Sequence, residues 1–148
     1  MRCIALITLL VPTLLNAGIQ QGTEVTRALQ SAASVYDIPF PLLKAICFVE
    51  SSLESKAYNK YDGNSPSYGL CQIKGSTARS LGFKGPYVKL FNSYINAGYA
   101  AKYLRYQLDR YNQDVLRAVS AYNRGSAPLP IRNRKYVKKV MQYYLRFS

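Results

Sequence analysis

Histidine and tryptophan are both missing from this chain of 148 residues, only seven residues are acidic, and only three are cysteine. Without histidine there is no imidazole to activate a serine or cysteine nucleophile, and the commonest metal ligand is absent as well. Three cysteines cannot complete a four-ligand zinc site on their own. Neither a metal nor any other cofactor is expected. Long apolar runs are scarce too: the stretch from Ile4 to Leu15 is interrupted by Pro12 and Thr13 and falls short of the roughly 20 residues needed to cross a bilayer. No stable membrane span is expected.

What is present bounds the answer further. Hydrophobic residues make up 49% of the chain, enough for one domain with a real core and too few for two. The opening "MRCIALITLLVPTLLNA" has an early charge at Arg2, an apolar stretch and a small Ala17 at its end, the pattern of an export leader. We therefore expect a signal peptide at residues 1–17, a domain at 18–148, and a product that is periplasmic or secreted. Loss of Arg2 with the leader leaves 19 basic groups against seven acidic, a net charge of +12. Such a surface favours an anionic partner, and export argues against nucleic acid. Two cysteines, Cys47 and Cys71, outlast the leader. Export permits a bridge between them, and their apolar surroundings equally suit two buried thiols, so both readings stay open.

The chain reads as a series of helices. Thr23 is placed to cap a helix that carries Val25, Ala28, Leu29 and Ala32 and stops before "YDIPFP". Pro41 opens a second helix to about Ser51. From Ser52 to Ile73 polar residues and the turn signals Asp62-Gly63-Asn64 and Ser65-Pro66 predict loops and at most a small hairpin. A short helix is expected over Ser76–Leu81, a long one from Asn92 or Ser93 to about Tyr111, and one capped by Asp114 that ends near Asn123. In the last helix Val137, Val140, Met141 and Tyr144 form a stripe read as a core-facing seam, with a membrane-binding face as the lesser alternative. The predicted class is mainly α, an α+β single domain with a small β-hairpin or loop region.

One acidic residue stands out. The run from Leu42 to Val49, broken only by Lys44, ends on Glu50 and two serines. Helical spacing puts Glu50 on the same side as Ile46 and Cys47 and at the helix C-terminus. Burial and the negative end of the helix dipole both disfavour a carboxylate there. A carboxyl that holds its proton near neutral pH meets the requirement for a general acid. The bland alternative is an exposed glutamate just past a buried segment.

Three motifs, "AICFVESS", "SYGLCQIKGSTARSLG" and "AAKYLRYQLDRYNQDVLRAVSAYNRG", resemble in order and spacing those of soluble lytic transglycosylases of the lysozyme-like superfamily. The resemblance covers about residues 35 to 145. The small size and the basic tail "IRNRKYVKKVMQYY" look most like the one-domain members associated with secretion or conjugation systems. The resemblance implies cleavage of the MurNAc–GlcNAc β-1,4 bond of peptidoglycan, with a 1,6-anhydromuramic acid end as product. It implies Glu50 as the single acid/base, Tyr122 beside it as a catalytic partner, and Ser51, Gly69, Leu70, Gln72, Asn96 and Asn123 as substrate-binding residues. Of the fourteen tyrosines, whose aromatic faces and hydroxyls suit sugar binding, Tyr68, Tyr122 and Tyr103 are the groove candidates. The implied partner is the glycan strand, acted on by a monomer. Departures are Cys47, Cys71, Lys74-Gly75, Ala100 and Arg124, and the first two would allow a disulfide from the catalytic helix to the substrate loop.

Ordinary glycosidases need two carboxylates at the bond. Glu24, Asp37, Asp109 and Asp114 look committed to helices or caps, Asp62 to a turn, and Glu54 to solvent. Substrate-assisted chemistry, in which the sugar's acetamido group stabilises C1, needs only Glu50. Two alternatives remain: a hydrolytic muramidase in which Glu54 or Asp62 places a water, and a non-catalytic cationic protein that binds the wall or a membrane.

Overall fold

A computed structural model describes the chain from residue 11 to residue 148. Residues 1–10, which hold most of the expected leader, lie outside the described residues, and the first helix, α1 (Val11–Val35), runs through Ala17. Thr23 is therefore not a cap. Its Oγ1 donates to the Gln20 carbonyl inside a helix already under way. α1 stops at "YDIPFP", with Asp37 at φ 49°, and α2 (Phe40–Ser51) follows with proline in its first turn. Asp37 thus serves in the turn and caps nothing: the residue preceding α2 is Pro39, which has no side-chain acceptor.

The polar stretch that follows forms three two-residue strands, β1 (Tyr58–Asn59), β2 (Ser67–Tyr68) and β3 (Ile73–Lys74), in one antiparallel sheet of order β1-β2-β3. One strand more than a hairpin is present. Tyr58 pairs with Tyr68 and Tyr68 with Ile73, and β1 is exposed at the edge, so it lacks the apolar alternation by which a strand is read. α3 (Gly75–Ser80) comes next, and after Pro86 a 3-10 turn over Tyr87–Phe91 replaces the expected loop.

α4 (Ser93–Arg110) and α5 (Val115–Arg124) start where caps predict. The side chain of Asn92 accepts from the Ile95 N–H, and that of Asp114 from the Arg117 N–H. Gly125 ends α5 in the left-handed conformation. α1 and α5 pack on α4, and α6 (Arg134–Phe147) packs along α2. Leu29, Leu43, Ile46, Leu104, Val119 and Val140 are fully buried where these helices meet. Val137 and Val140 face inward as the seam on the last helix requires.

One residue joins the helical and β parts. Cys71, in the β2–β3 turn, is bonded through sulfur to Cys47 of α2. Its N–H donates to Asn96 Oδ1 of α4 at 2.8 Å, and its carbonyl accepts from the Tyr122 hydroxyl of α5 at 3.0 Å. The turn is thereby tied to three helices. The bridge spans 24 residues of chain, and closing a loop of that size in the unfolded state stabilises the fold by about 3 kcal/mol. Replacing both Cys47 and Cys71 with Ala should lower the thermal midpoint by roughly 10 °C. An unchanged melting curve would mean that the hydrogen bonds at Cys71 hold the turn without the covalent tie.

Candidate active site

Glu50 sits one residue before the end of α2. Ser52, immediately after the helix, adopts φ 58° and donates its N–H to the Phe48 carbonyl, which closes the last turn. Ser51 turns its hydroxyl onto the Leu70 carbonyl at 2.6 Å, so the end of α2 is fastened to the same turn that Cys47 holds. A cleft of about 350 Å³ opens beside Glu50. Its walls include Asn59, Asp62, Gln72, Lys74, Thr77 and Tyr103, with Tyr122, Asn123 and Arg124 at the end of α5.

The carboxyl is held well above its ordinary range. Burial is the main cause; the hydroxyl of Tyr136 opposes it by donating to Oε1 at 2.6 Å, and the negative charge of Asp62 reinforces it. The balance leaves Glu50 with a pKa of about 7. Burial by itself would favour the neutral acid, while a hydrogen bond donated to the charged form stabilises the carboxylate. A group tuned to this value can both release and recover a proton near neutral pH.

Asp62 is the second carboxylate on the cleft, and its Oδ1 lies 3.2 Å from Lys74 Nζ. The sequence assigns it to a turn and, in the hydrolytic alternative, to the placing of a water. Glu54 is exposed and accepts from the Lys56 N–H, turned away from the cleft. Among the described residues no group of three His, Cys, Asp or Glu side chains is placed to hold a metal ion.

The other residues singled out in the sequence divide into two groups. Gln72, Tyr122 and Asn123 line the cleft with Glu50, as does Tyr103, whose ring lies 5.3 Å from that of Tyr122. Ser51, Gly69, Leu70 and Asn96 hold the turn instead of facing sugar, which corrects their expected role in binding substrate. Asn96 is fully buried: its Nδ2 donates to the carbonyls of Tyr68 and Leu90, both at 2.7 Å, while its Oδ1 receives the Cys71 N–H. Leu70 is likewise fully buried. Gly69 has φ 70°, and a Cβ there would lie 2.5 Å from the Leu90 carbonyl oxygen and 2.6 Å from Asn96 Nδ2, so no side chain fits.

Tyr68 is nearly buried and packs with Tyr58, Tyr87 and Phe91 behind the cleft wall. Gln72 takes the left-handed φ of 50°. Its Nε2 donates to the Ala57 and Gly69 carbonyls and its Oε1 accepts from Ser67, so the side chain that borders the cleft also braces it. Tyr122 stands beside Glu50, as expected, close enough for the Glu50 charge to bear on it, and its hydroxyl donates to the Cys71 carbonyl. The tyrosine that donates to Glu50 is Tyr136, which the sequence alone did not single out. A signal for it existed, since Tyr136 lies four residues before Val140 on the inward side of α6.

Comparison with known proteins places this arrangement in a family. Residues 27–144 match the Transglycosylase SLT domain. The chain belongs to that family. Protein IpgF of Shigella flexneri is 33% identical over 120 residues, which cover 79% of this chain and 78% of IpgF, and IpgF of Shigella sonnei matches to the same extent. The X-ray structure of an inactive mutant of lytic transglycosylase Slt from Pseudomonas aeruginosa superposes with a TM-score of 0.69 at 21% identity. It matches 82% of this chain, which spans 23% of that larger protein, and the likeness is one of fold. The SLT-family chain described here is thus a lysozyme-like lytic transglycosylase that acts on peptidoglycan.

The Tyr136 bond gives a pH prediction for this SLT enzyme. With Glu50 required protonated, kcat/KM on peptidoglycan should fall above an apparent pKa near 7. Tyr136→Phe removes the donor that favours the carboxylate, so the alkaline limb should move to higher pH while maximal activity declines. A limb that stays in place, or moves down, in a pH-rate profile of the variant would contradict the role given to Tyr136.

Proposed function

We propose that this lytic transglycosylase cleaves the MurNAc–GlcNAc bond with Glu50 as the only catalytic carboxyl, acting first as acid and then as base. The observation that carries the reading is the place of Glu50, a largely buried carboxyl at the edge of a cleft with Oε1 held by the Tyr136 hydroxyl, where burial raises its pKa to about 7. Tyr136 donates to Oε1, so the acidic proton is expected on Oε2, free to reach the glycosidic oxygen. Proton transfer releases the leaving sugar as an alcohol, and the neighbouring acetamido group supports the electron-poor C1. Glu50, now ionised, takes the proton of the O6 hydroxyl as that oxygen attacks C1 and closes the 1,6-anhydro ring. No water is consumed.

Asn123 and Gln72, which both line the cleft, are the residues we assign to glycan contact, and Tyr122 keeps the turn in register with α5. Peptidoglycan lies outside the cytoplasmic membrane, so the reaction is extracytoplasmic. We further propose export through residues 1–17, action as a monomer, and local opening of the wall for a secretion or conjugation apparatus. The small size, the basic tail and the lack, among the described residues, of any helix long and apolar enough to cross a membrane support this.

Hydrolysis remains the reading to test against, because Asp62 faces the same cleft and could place a water. Its Oδ1 is engaged by Lys74, which argues against that use. Mass spectrometry of digested sacculi separates the two, since anhydro ends are lighter than hydrolytic ends by one water. Glu50→Gln should abolish product formation while glycan binding persists.

The same variant reports on the buried charge. A folded pKa raised from 4.5 to about 7 gives stability that is complete below pH 4.5 and lost as pH rises through 7. At pH 8 Glu50→Gln should therefore unfold later than wild type, by about 3 kcal/mol in the absence of other changes. A Gln variant that still releases anhydro ends at the wild-type rate would overturn the assignment.

A further inference from the structure

Away from the catalytic cleft, α6 presents a second apolar face. A groove of about 520 Å³ runs between the start of α5, the segment that joins α5 to α6, and the outer side of α6. Leu116, Leu129, Pro130, Ile131, Val137 and Met141 line it, and Arg134 and Lys138 stand at its edge. Leu116 is 47% exposed and Leu129 71%, large side chains left in water on facing sides. Leu145, 75% exposed, lies four residues beyond Met141 and extends the stripe by one more turn of helix. Helical rotation puts Arg134, Lys138, Met141 and Leu145 within about 60° of one another, with the buried Val137 at the boundary between this face and the core. Tyr136, Val140 and Tyr143 occupy the opposite side, against the core.

Charge says what can cover this face. From Val115 to Ser148 there is no Asp or Glu, and eight residues are Lys or Arg. The two ion pairs among the described residues lie elsewhere, at Lys74–Asp62 and Arg105–Asp109. Arg134 Nε donates to the Ile131 carbonyl, which turns the guanidinium along the groove edge. A second copy of this chain would bring its own basic surface against this one and is disfavoured. The occupant must be apolar along one side and acidic beside it.

We propose that this groove docks an amphipathic helix of a partner protein, one that carries acidic side chains next to its apolar stripe. Leu and Ile anchors at helical spacing would fill the space between Leu116, Leu129 and Met141, and Glu or Asp beside them would meet Arg134 and Lys138. The groove is open along its length, but its volume of about 520 Å³ between α5, the joining segment and α6 has room for the side-chain anchors of a helix, whereas a lipid surface would touch only the exposed tips. Docking here leaves the cleft open to glycan, so the enzyme can be held at one place while it cuts.

The test uses the full chain and two labelled helical peptides of about 18 residues. One carries Leu at i, i+3, i+4 and i+7 with flanking Glu, and the other has Lys in place of each Glu. Fluorescence anisotropy should show the Glu peptide binding at least about tenfold more tightly than the Lys peptide. That preference should shrink as salt rises through the range in which exposed charges are screened. Leu116→Ser with Leu129→Ser should weaken binding of the Glu peptide by about tenfold or more, and Arg134→Glu with Lys138→Glu should reverse the preference.

Activity of the Leu116/Leu129 variant on sacculi should match wild type, so a failure of the cleft reading and a failure of this one give different results. Equal binding of the two peptides by wild type, or undiminished binding by the groove variants, would overturn the proposal. So would binding to phosphatidylglycerol vesicles that depends on Leu116 and Leu129 while neither peptide binds, since the face would then belong to a lipid surface.

Discussion

The candidate site of this chain is built on a covalent tie three residues before Glu50. Cys47 and Glu50 share one side of α2, and the bridge to Cys71 draws the β2–β3 turn against that side. All the bonding capacity of Cys71 is then used: sulfur to α2, N–H to Asn96, carbonyl oxygen to Tyr122. Buried polar groups that are fully paired fix a backbone in one place, whereas partly paired ones leave alternatives of similar energy. The turn is a rigid wall for that reason. Asn96 extends the effect, since it is fully buried and also bonds the Tyr68 and Leu90 carbonyls.

Rigidity matters because the acid-then-base role proposed for Glu50 requires burial to be opposed by a second, restraining influence. Burial alone would hold the proton too firmly for the carboxylate to form when the leaving group departs. The Tyr136 hydrogen bond pulls the other way, and the outcome is a value of about 7. A catalyst that must give and retake one proton works best when its pKa lies near the ambient pH. Moving the turn outward would admit water and remove the upward shift, while moving α6 outward would remove the restraint on it. α2 is packed between these two supports.

Much of this was legible in the residues. Asn92 and Asp114 announce α4 and α5 because a short polar side chain beside an apolar-periodic run has few uses other than capping, and Glu50 is conspicuous because it breaks an apolar stretch. Thr23 misled because a hydroxyl inside a helix can also bond a preceding carbonyl, here that of Gln20. The motif residues around Cys71 were located correctly along the chain but assigned to substrate. Motif spacing marks where a residue stands and not which way its polar atoms point, so Ser51, Leu70 and Asn96 could not be told from groove residues. Tyr136 was hidden for another reason. It is 86 residues from Glu50, and only the packing of α6 along α2 brings them together.

The distribution of charge closes the same circle. A cation within about 4–6 Å of a carboxyl lowers its pKa by one to three units, enough to cancel the effect of burial on Glu50. In a chain with a net charge of +13 such an encounter is hard to avoid, yet the charged group that bears on Glu50 is the acidic Asp62. Three features account for this. Arg124, at the end of α5 on the cleft wall, is exposed to solvent, which screens it. Lys74, the basic residue nearest Asp62 on the cleft wall, is held by that residue at 3.2 Å. On α6 the inner side carries Tyr136, Val140 and Tyr143, and Arg134, Lys135, Lys138 and Lys139 are all exposed. The helix that supplies the hydrogen bond to the acid thus keeps its positive charge on the far side, where it borders the apolar groove and leaves the proton of Glu50 in place.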